Sequence, residues 1–480
     1  MMKNQWGFSS IWGLLSALLI IGVLAFTLWG NSSNLNPRFL FIDEQITFYP
    51  IIKLLNPSGL DEFLWLASDG SDYRYGRILW NAIALIALIP AKLFGEAGQI
   101  IASREAGVIF LLASYLLLTH TFIQKPAIRF LALFTLICLP YSSYYMSMPK
   151  PEPIMLLCAA LFLFLYKKDN LALGRPYWIL MGMAFGAKIS FLLPLLILFS
   201  ASVLTQCNNQ HIQSLITSSL LSLLYIVIGF VIANPFFIPV FLFLAYALLA
   251  ILLIARLTGL SYAILLGIAC VMILGIALIP HLREEVLTPL IEFTDSRHAF
   301  GEWIRGTFLR INDGDSASHQ TVFTWLVYLF NMLAPGFALV GAIYVLGISL
   351  ILGSQLLNLK TDWRTPDQAQ LLTLVLSIIG AALLLSPMIS VKNRLWGMYL
   401  FPGLIFVSLA FFTFVDSMEL KKVSTSRAQV YRVAINCLLV MTVVLASISW
   451  APRWINDFID LGLRNTRGAE YALPSHLMGV

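Results

Sequence analysis

Apolar blocks of roughly 20 residues, the length of a membrane-crossing helix, recur along this chain and leave few folds open to it. Hydrophobic residues make up 59% of the sequence and charged residues only 11%, and the mean hydropathy is +0.85. Soluble domains are about 25% charged, so this chain lacks the polar residues to cover a water-facing surface. The short alternating strands of an outer-membrane barrel are also absent from the pattern. The sequence therefore predicts an all-α polytopic membrane protein.

Thirteen transmembrane helices are predicted from the apolar blocks. The first is interpreted as an uncleaved anchor, because its apolar stretch is too long for a signal peptide and no small-residue cleavage site follows it. Two of the others are short and share the stretch 177–205. The predicted helices lie near residues 11–30, 104–123, 127–147, 152–167, 177–188, 189–205, 212–233, 236–256, 260–280, 336–357, 369–389, 395–415 and 431–451.

Segment 78–95 decides the predicted topology. If it spans the membrane, the basic residues after the next predicted helices lie at the outer face. If it lies along the outer surface, the same basic residues lie at the cytoplasmic face, as the positive-inside rule prefers. These bases are Lys125, Arg129, Lys167, Lys168 and Arg175. With 78–95 on the surface, the inner face carries thirteen Lys/Arg and five Asp/Glu. We therefore expect a multi-pass protein of the inner (plasma) membrane, with its N-terminus in the cytoplasm and its C-terminus outside.

This topology places two acidic stretches in loops at the outer face. Residues 31–77 hold six of the twenty-four acids and residues 282–320 hold seven. Loops of this length tend to be functional or disordered, and their aromatic residues favour packing. The sequence thus predicts one transmembrane domain, 1–451, with outer-face loops 31–103 and 281–335, and a short outer-face tail, 452–480. The net charge of +6 reflects loop placement, and no nucleic-acid partner is expected.

The adjacent carboxylates Asp43 and Glu44 are the first candidates for chemistry. Aromatic residues flank them just after the first predicted helix. At a membrane surface, desolvation and mutual repulsion would raise the pKa of one carboxyl group, as suits a general base. The alternative interpretation is a solvated pair of loop acids.

Several short segments follow one another along the chain: Asp43-Glu44, Tyr75 to Gly95, Arg104, Gly182 to Lys188, Asn234-Pro235-Phe236, and Arg394 to Pro402. In this order they resemble motifs of the GT-C glycosyltransferase superfamily, which includes protein O-mannosyltransferases and the aminoarabinose and galacturonic acid transferases of lipid A. The resemblance covers about residues 10–415. The tail is far shorter than the soluble C-terminal domain of some members, and Lys150-Pro151-Glu152 stands where many members have an aspartate.

The resemblance makes Glu152 a candidate second catalytic carboxylate, facing Asp43 across a cavity. The alternative is a plain acid in the first turn of a helix, where it suits the helix dipole. Basic residues at the outer face would bind the donor phosphate, because arginine pairs with phosphate bidentately. Interface anchors are the alternative for these bases. The candidate substrate-binding residues are Arg104, Lys150, Arg297, Lys392 and Arg394.

Lys188 is interpreted as structural. It lies between apolar stretches, and a charge in mid-membrane costs about 2.5–3.5 kcal/mol on insertion scales. We expect the helices to break near the inner face at this point, so that the lysine reaches water.

The resemblance implies an inverting glycosyltransferase that moves a sugar from a polyprenyl-phosphate donor to a lipid, glycan or protein acceptor. Asp43 would take the acceptor proton, and Glu44 would position the acceptor or tune Asp43. No cofactor is required, although the acids could chelate a divalent metal. The five cysteines show no metal-ligand spacing. Two alternatives stay open: a polysaccharide polymerase or ligase with a lipid-linked substrate, and a transporter or flippase of lipid-linked sugars.

Overall fold

A computed structural model of the chain describes residues 11–33, 51–68, 77–188, 191–207, 212–235, 322–358, 368–389, 400–417 and 426–467. About 90% of these residues are helical and none of them forms a strand. The prediction of an all-α chain is confirmed for this part of the sequence.

Fifteen α-helices are numbered here along the described residues, and residues 51–55 are also helical. Helix α14 passes through a π-helical turn, Leu445–Trp450, directly into α15. The helices are α1 (Ile11–Ser33), α2 (Leu60–Ser68), α3 (Arg77–Phe122), α4 (Pro126–Cys138), α5 (Ser142–Ser147), α6 (Pro151–Lys168), α7 (Trp178–Ala187), α8 (Leu192–Cys207), α9 (Ile212–Ala233), α10 (Val322–Leu333), α11 (Ala338–Asn358), α12 (Gln368–Ile389), α13 (Phe401–Ser417), α14 (Ser426–Val444) and α15 (Ala451–Arg467).

Four of the described helical stretches are long and apolar enough to cross a membrane: Ile11–Ser33, Arg77–Phe122, Ile212–Ala233 and Val433–Ile459. Shorter apolar helices pack between them. The chain is therefore a polytopic α-helical membrane protein. The predicted helices 236–256 and 260–280 lie outside the described residues, and the total of thirteen helices stays a prediction.

The predicted helix 127–147 is wrong as a single element, since the chain leaves helical geometry between α4 and α5. Leu139 has an extended ψ of 144° and Tyr141 a left-handed φ of 69°. Pro140, which lies between them, has no N–H to donate, and it disfavours helical geometry at the residue before it. The break separates α4 from the short helix α5, which contacts α3 and α15.

Helix α3 is two helices joined by a sharp bend at Gly95, whose φ of 60° and ψ of −141° are not helical. A Cβ atom at Gly98 would lie 2.1 Å from the Pro90 carbonyl oxygen. In a continuous α-helix, eight residues separate two positions by about 12 Å along the axis. The chain therefore folds back at this point, and residues 77–94 form a helix of their own.

The two faces of helix 77–94 meet different surroundings. Trp80 and Ile83 are buried in a cluster with residues of the segment 51–68, and the Asn81 amide donates to the Ala67 carbonyl at 3.1 Å. On the other face, Leu85 and Ile89 are about 70% exposed. One side of this helix is covered by a segment that carries acidic residues, and the other side is apolar and exposed. Such a helix suits the membrane interface, which favours the predicted position of residues 78–95 along the membrane surface.

Basic residues gather with Asp416 at one end of the bundle, here called the Asp416 end. The Asp416 carboxylate accepts hydrogen bonds from the backbone N–H groups of Gln124, at 2.6 Å, and Lys125, at 2.9 Å. The Lys167 ammonium donates to the Thr121 carbonyl at 2.5 Å. The ends of α3, α6 and α13 and the start of α4 therefore meet, and the bases predicted to face inward share one end of the bundle.

Glycines bring α7 and α9 into backbone contact. A Cβ atom at Gly182 would lie 2.0 Å from the Ile226 carbonyl oxygen, and one at Gly229 would lie 1.9 Å from the Ile179 carbonyl oxygen. Gly182 and Gly186 are four residues apart on one face of α7, the spacing that allows close helix packing in membranes. This contact fixes the end of α7, where Lys188 follows.

Candidate functional site at the Glu152 end of the bundle

Glu152 and Lys188 form a buried ion pair between two helices. Pro151 starts α6 and places Glu152 in its first turn, while Lys188 ends α7 in an extended conformation. The ammonium of Lys188 contacts Oε1 of Glu152. The glutamate side chain is 4% exposed and the lysine side chain 17% exposed. Glu152 is therefore not a solvated acid of a helix cap, although it lies where the α6 dipole favours a negative charge.

The second carboxylate oxygen of Glu152 is buried and accepts no hydrogen bond from the described residues. Buried carboxylate oxygens normally have partners, so this atom is an available acceptor. The function predicted for Glu152, a carboxylate that faces Asp43, depends on residues outside the described part of the chain.

The locations predicted for Lys188, near the inner face, and for Glu152, at the outer face, cannot both be right. In the structure the two side chains touch, because α7 runs antiparallel to α6 and ends beside the start of α6. Composition alone does not predict the contact between Glu152 and Lys188. The contact depends on the direction of α7, which is held by its glycine packing against α9.

Lys150 precedes α6 and is buried among aromatic residues. Its ammonium lies 5.7 Å from the centre of the Tyr144 ring, a distance at which the ring face attracts a cation. Tyr145, the next residue, stacks on Phe401 with ring centres 4.7 Å apart. Lys150 therefore lies in the same turn as Glu152, within an aromatic wall formed by α5 and α13.

Arg104 ties α3 to the end of α1. Its guanidinium donates to the Asn31 carbonyl at 2.9 Å, and the arginine is almost fully buried. Three residues along the same helix, Gly107 packs against the backbone of Tyr145. The observed contact is structural, and the predicted role of Arg104 in substrate binding stays a prediction.

Glu105 is a half-buried carboxylate that the sequence analysis did not single out. It accepts hydrogen bonds from the Asn31 amide at 2.7 Å and from the Thr27 hydroxyl at 3.4 Å. The Asn31 amide also donates to the Met146 carbonyl at 3.1 Å. An acid within an apolar run is itself a signal of function, and this signal was available in the sequence beside Arg104.

Helix α15 covers α1 and α5 at this end of the bundle. Its Asp457 accepts a hydrogen bond from the Ser143 hydroxyl at 2.5 Å. Phe458 packs against Gly30, where a Cβ atom would lie 2.8 Å from the phenylalanine ring. The predicted last span therefore continues as a helix into the region predicted to be a short tail.

The structure brings Glu152, Lys150 and Arg104 to this end of the bundle, called the Glu152 end, together with Asn31, Glu105 and Lys188. Five other predicted site residues lie outside the described residues, and their roles stay predictions. They are Asp43, Glu44, Arg297, Lys392 and Arg394. The sequence matches no family model and no curated protein.

Proposed function

We propose that the protein is an inverting glycosyltransferase of GT-C type that transfers a sugar from a polyprenyl-phosphate donor to an acceptor at the outer membrane face. The observation that carries the proposal is the buried Glu152–Lys188 pair. It provides a carboxylate with one available oxygen at the end of the bundle where α1 ends, and Asp43 follows ten residues after Ser33. Glycoside hydrolysis, a related chemistry at the same carbon, typically uses two carboxylates that flank the reacting bond.

In the proposed reaction, an acceptor oxygen attacks the anomeric carbon from the face opposite the phosphate. The bond between that carbon and the phosphate oxygen breaks, and the polyprenyl phosphate leaves with the bonding electrons. This single displacement inverts the anomeric centre. Asp43 takes the acceptor proton, and Glu44 orients the acceptor.

The leaving phosphate gains negative charge as the sugar departs, so cations beside it lower the barrier. Arg394 and Lys392 are assigned to the phosphate, and Arg297 to the donor or acceptor. Lys150 lies two residues before Glu152, in the same turn, and is the best supported of the bases, since its ammonium lies at the Glu152 end. Arg104 stays a candidate for substrate binding, and its observed contact holds the end of α1 beside this site.

Glu152 is assigned to substrate binding or base catalysis through its available oxygen. Lys188 compensates the carboxylate charge at the other oxygen, so the pair enters the apolar bundle without net charge. A hydroxyl group of the sugar or of the acceptor would satisfy the open acceptor position, as buried polar groups require. This need for a partner is the reason to expect a polyhydroxylated ligand here.

A transporter of lipid-linked sugars is the second candidate. Transporters hold ionisable residues inside the bilayer, and Glu105 and the Glu152–Lys188 pair are ionisable groups held between the helices of the bundle. Carriers are, however, commonly built from two repeated halves, and the sequence shows no internal repeat. The transferase remains the better supported proposal.

Mass spectrometry of lipid-linked sugars and surface glycans, with and without the gene, tests the proposal. Loss of the transferase should remove one sugar from a surface glycan, lipid or protein, and the unused polyprenyl-phosphate sugar should accumulate at the outer face. Accumulation of the same lipid at the inner face would instead identify a transporter. Unchanged glycans and unchanged lipid-linked sugars would contradict both candidates.

A further inference from the structure

The helices α10 to α13 and the π-helical turn enclose an apolar cavity of about 300 Å³. Its floor includes Leu333, Tyr344 and Trp450, which are buried. The outer part of its wall includes Ser349 and Ala381, which are exposed. The cavity therefore opens sideways between α11 and α12.

The described residues that line the cavity offer little to a polar ligand. None of them is charged. The Trp450 indole N–H donates to the Leu333 carbonyl at 2.7 Å, and the Ser377 hydroxyl donates to the Thr373 carbonyl at 2.7 Å. The Tyr344 hydroxyl receives a hydrogen bond from Thr442 at 3.2 Å. The Trp450 and Ser377 donors are therefore engaged within the protein. The other polar groups of the lining are the hydroxyls of Tyr344, Ser349 and Ser408, which are few partners for a head group or a sugar.

A cavity of this size holds about ten water-sized volumes, and apolar cavities do not retain water. An empty cavity would deprive its walls of dispersion contacts. Around the mouth, Leu346 and Leu350 on α11 and Ile378 on α12 are exposed apolar side chains. In a membrane these side chains contact the hydrocarbon of the bilayer, which is the material available to enter the cavity.

We propose that this cavity binds one acyl chain of a bilayer phospholipid, inserted sideways between α11 and α12, with its head group left outside. The inference is independent of the proposed transferase function, because it needs only the cavity and a surrounding bilayer. The chain fills the space that keeps α11 and α12 apart and supports the packing of α13 behind it.

Gly353 on α11 permits a direct test. It lines the cavity, and a Cβ atom there would meet no other atom within 4 Å. Gly353→Phe should therefore fill the cavity without displacing the backbone. Gly22→Phe on α1 is the matched control, since Gly22 also lies in an apolar helix with open space around it and is not among the residues that line the cavity. Ala381→Phe blocks the opposite wall if Gly353→Phe does not fold.

Phospholipids carrying a photoreactive group in the acyl chain should be incorporated into vesicles with the purified full-length protein, and the cross-linked residues mapped. We expect cross-links concentrated at Ser349, Ile378 and Ala381, their loss in Gly353→Phe or Ala381→Phe, and their retention in Gly22→Phe. The proposal is overturned if cross-linking there is no stronger than at lipid-facing residues such as Leu220, or if the cavity-filling variants leave it unchanged. Mass spectrometry of lipid retained by the purified protein decides the occupant, and an isoprenoid chain in place of an acyl chain would also overturn it.

Discussion

Lys188, at the end of α7, is ion-paired with Glu152, in the first turn of α6, and the contact lies at one end of the bundle with the carboxylate buried and the lysine side chain 17% exposed. A buried pair of this kind is costly to break, because the remaining partner keeps an uncompensated charge. It also offers a way to separate the structural role of Glu152 from its proposed chemical role.

Lys188→Met should destabilise the protein by about 3–5 kcal/mol, the usual cost of leaving one buried charge unpaired. The double variant Glu152→Gln/Lys188→Met removes both charges and should regain most of that stability. Thermal unfolding of the purified variants in detergent measures both effects. If Lys188→Met is as stable as the wild-type protein, the pair does not hold α6 and α7 together.

The same double variant tests chemistry. If Glu152 binds or activates a substrate, the double variant should stay inactive although it is folded, because the available oxygen of the carboxylate is lost. Recovery of activity together with stability would reduce Glu152 to a structural residue.

The contact between α7 and α9 should tolerate no side chain at Gly229. A Cβ atom there would lie 1.9 Å from the Ile179 carbonyl oxygen, so Gly229→Val should cost roughly 1–3 kcal/mol or more through overpacking. Gly22→Val, at a glycine with open space around it, is the control and should leave the unfolding temperature unchanged. Equal stability of the two variants would show that α7 and α9 can separate without cost.

Part of this architecture could be predicted from the sequence. Helices such as α9 and α12 match their predicted ranges within a few residues, because a long apolar block leaves the backbone no partner in lipid except itself. The break after Cys138 and the bend at Gly95 depend on single residues within otherwise helical patterns. The Glu152–Lys188 contact joins positions 36 residues apart, and hydropathy carries no information about which helix ends meet.

The predicted topology can be tested on two exposed lysines. Lys53 belongs to the segment that packs on helix 77–94, and Lys168 ends α6 at the Asp416 end. In a background where Cys207 and Cys437, which are exposed, are replaced by serine, Lys53→Cys should react with a membrane-impermeant thiol reagent in intact cells. Lys168→Cys should react only after the membrane is opened. Labelling of Lys168→Cys from outside would mean that residues 78–95 cross the membrane.

Arg394 should bind the donor phosphate. Arg394→Ala should raise the donor KM by roughly 10- to 100-fold, the equivalent of about 1.5–3 kcal/mol for hydrogen bonds to a charged group, while the protein stays folded. Arg394→Lys restores the charge without the forked geometry of arginine, so partial recovery is expected. Donor kinetics like those of the wild-type protein in Arg394→Ala would assign this arginine to the membrane interface.

Turnover of the purified Asp43→Asn variant tests the transferase account most directly. Asparagine keeps the size of the side chain and removes the proton acceptor. The assay uses vesicles that contain the lipid-linked sugar accumulated in cells without the gene, with the acceptor from the same cells. The wild-type protein should transfer the sugar, and Asp43→Asn should be slower by about 10²–10⁴-fold with donor binding little changed. Equal turnover of the two proteins would remove Asp43 as the base, and a wild-type protein that moves the lipid across the bilayer without consuming it would contradict the transferase account.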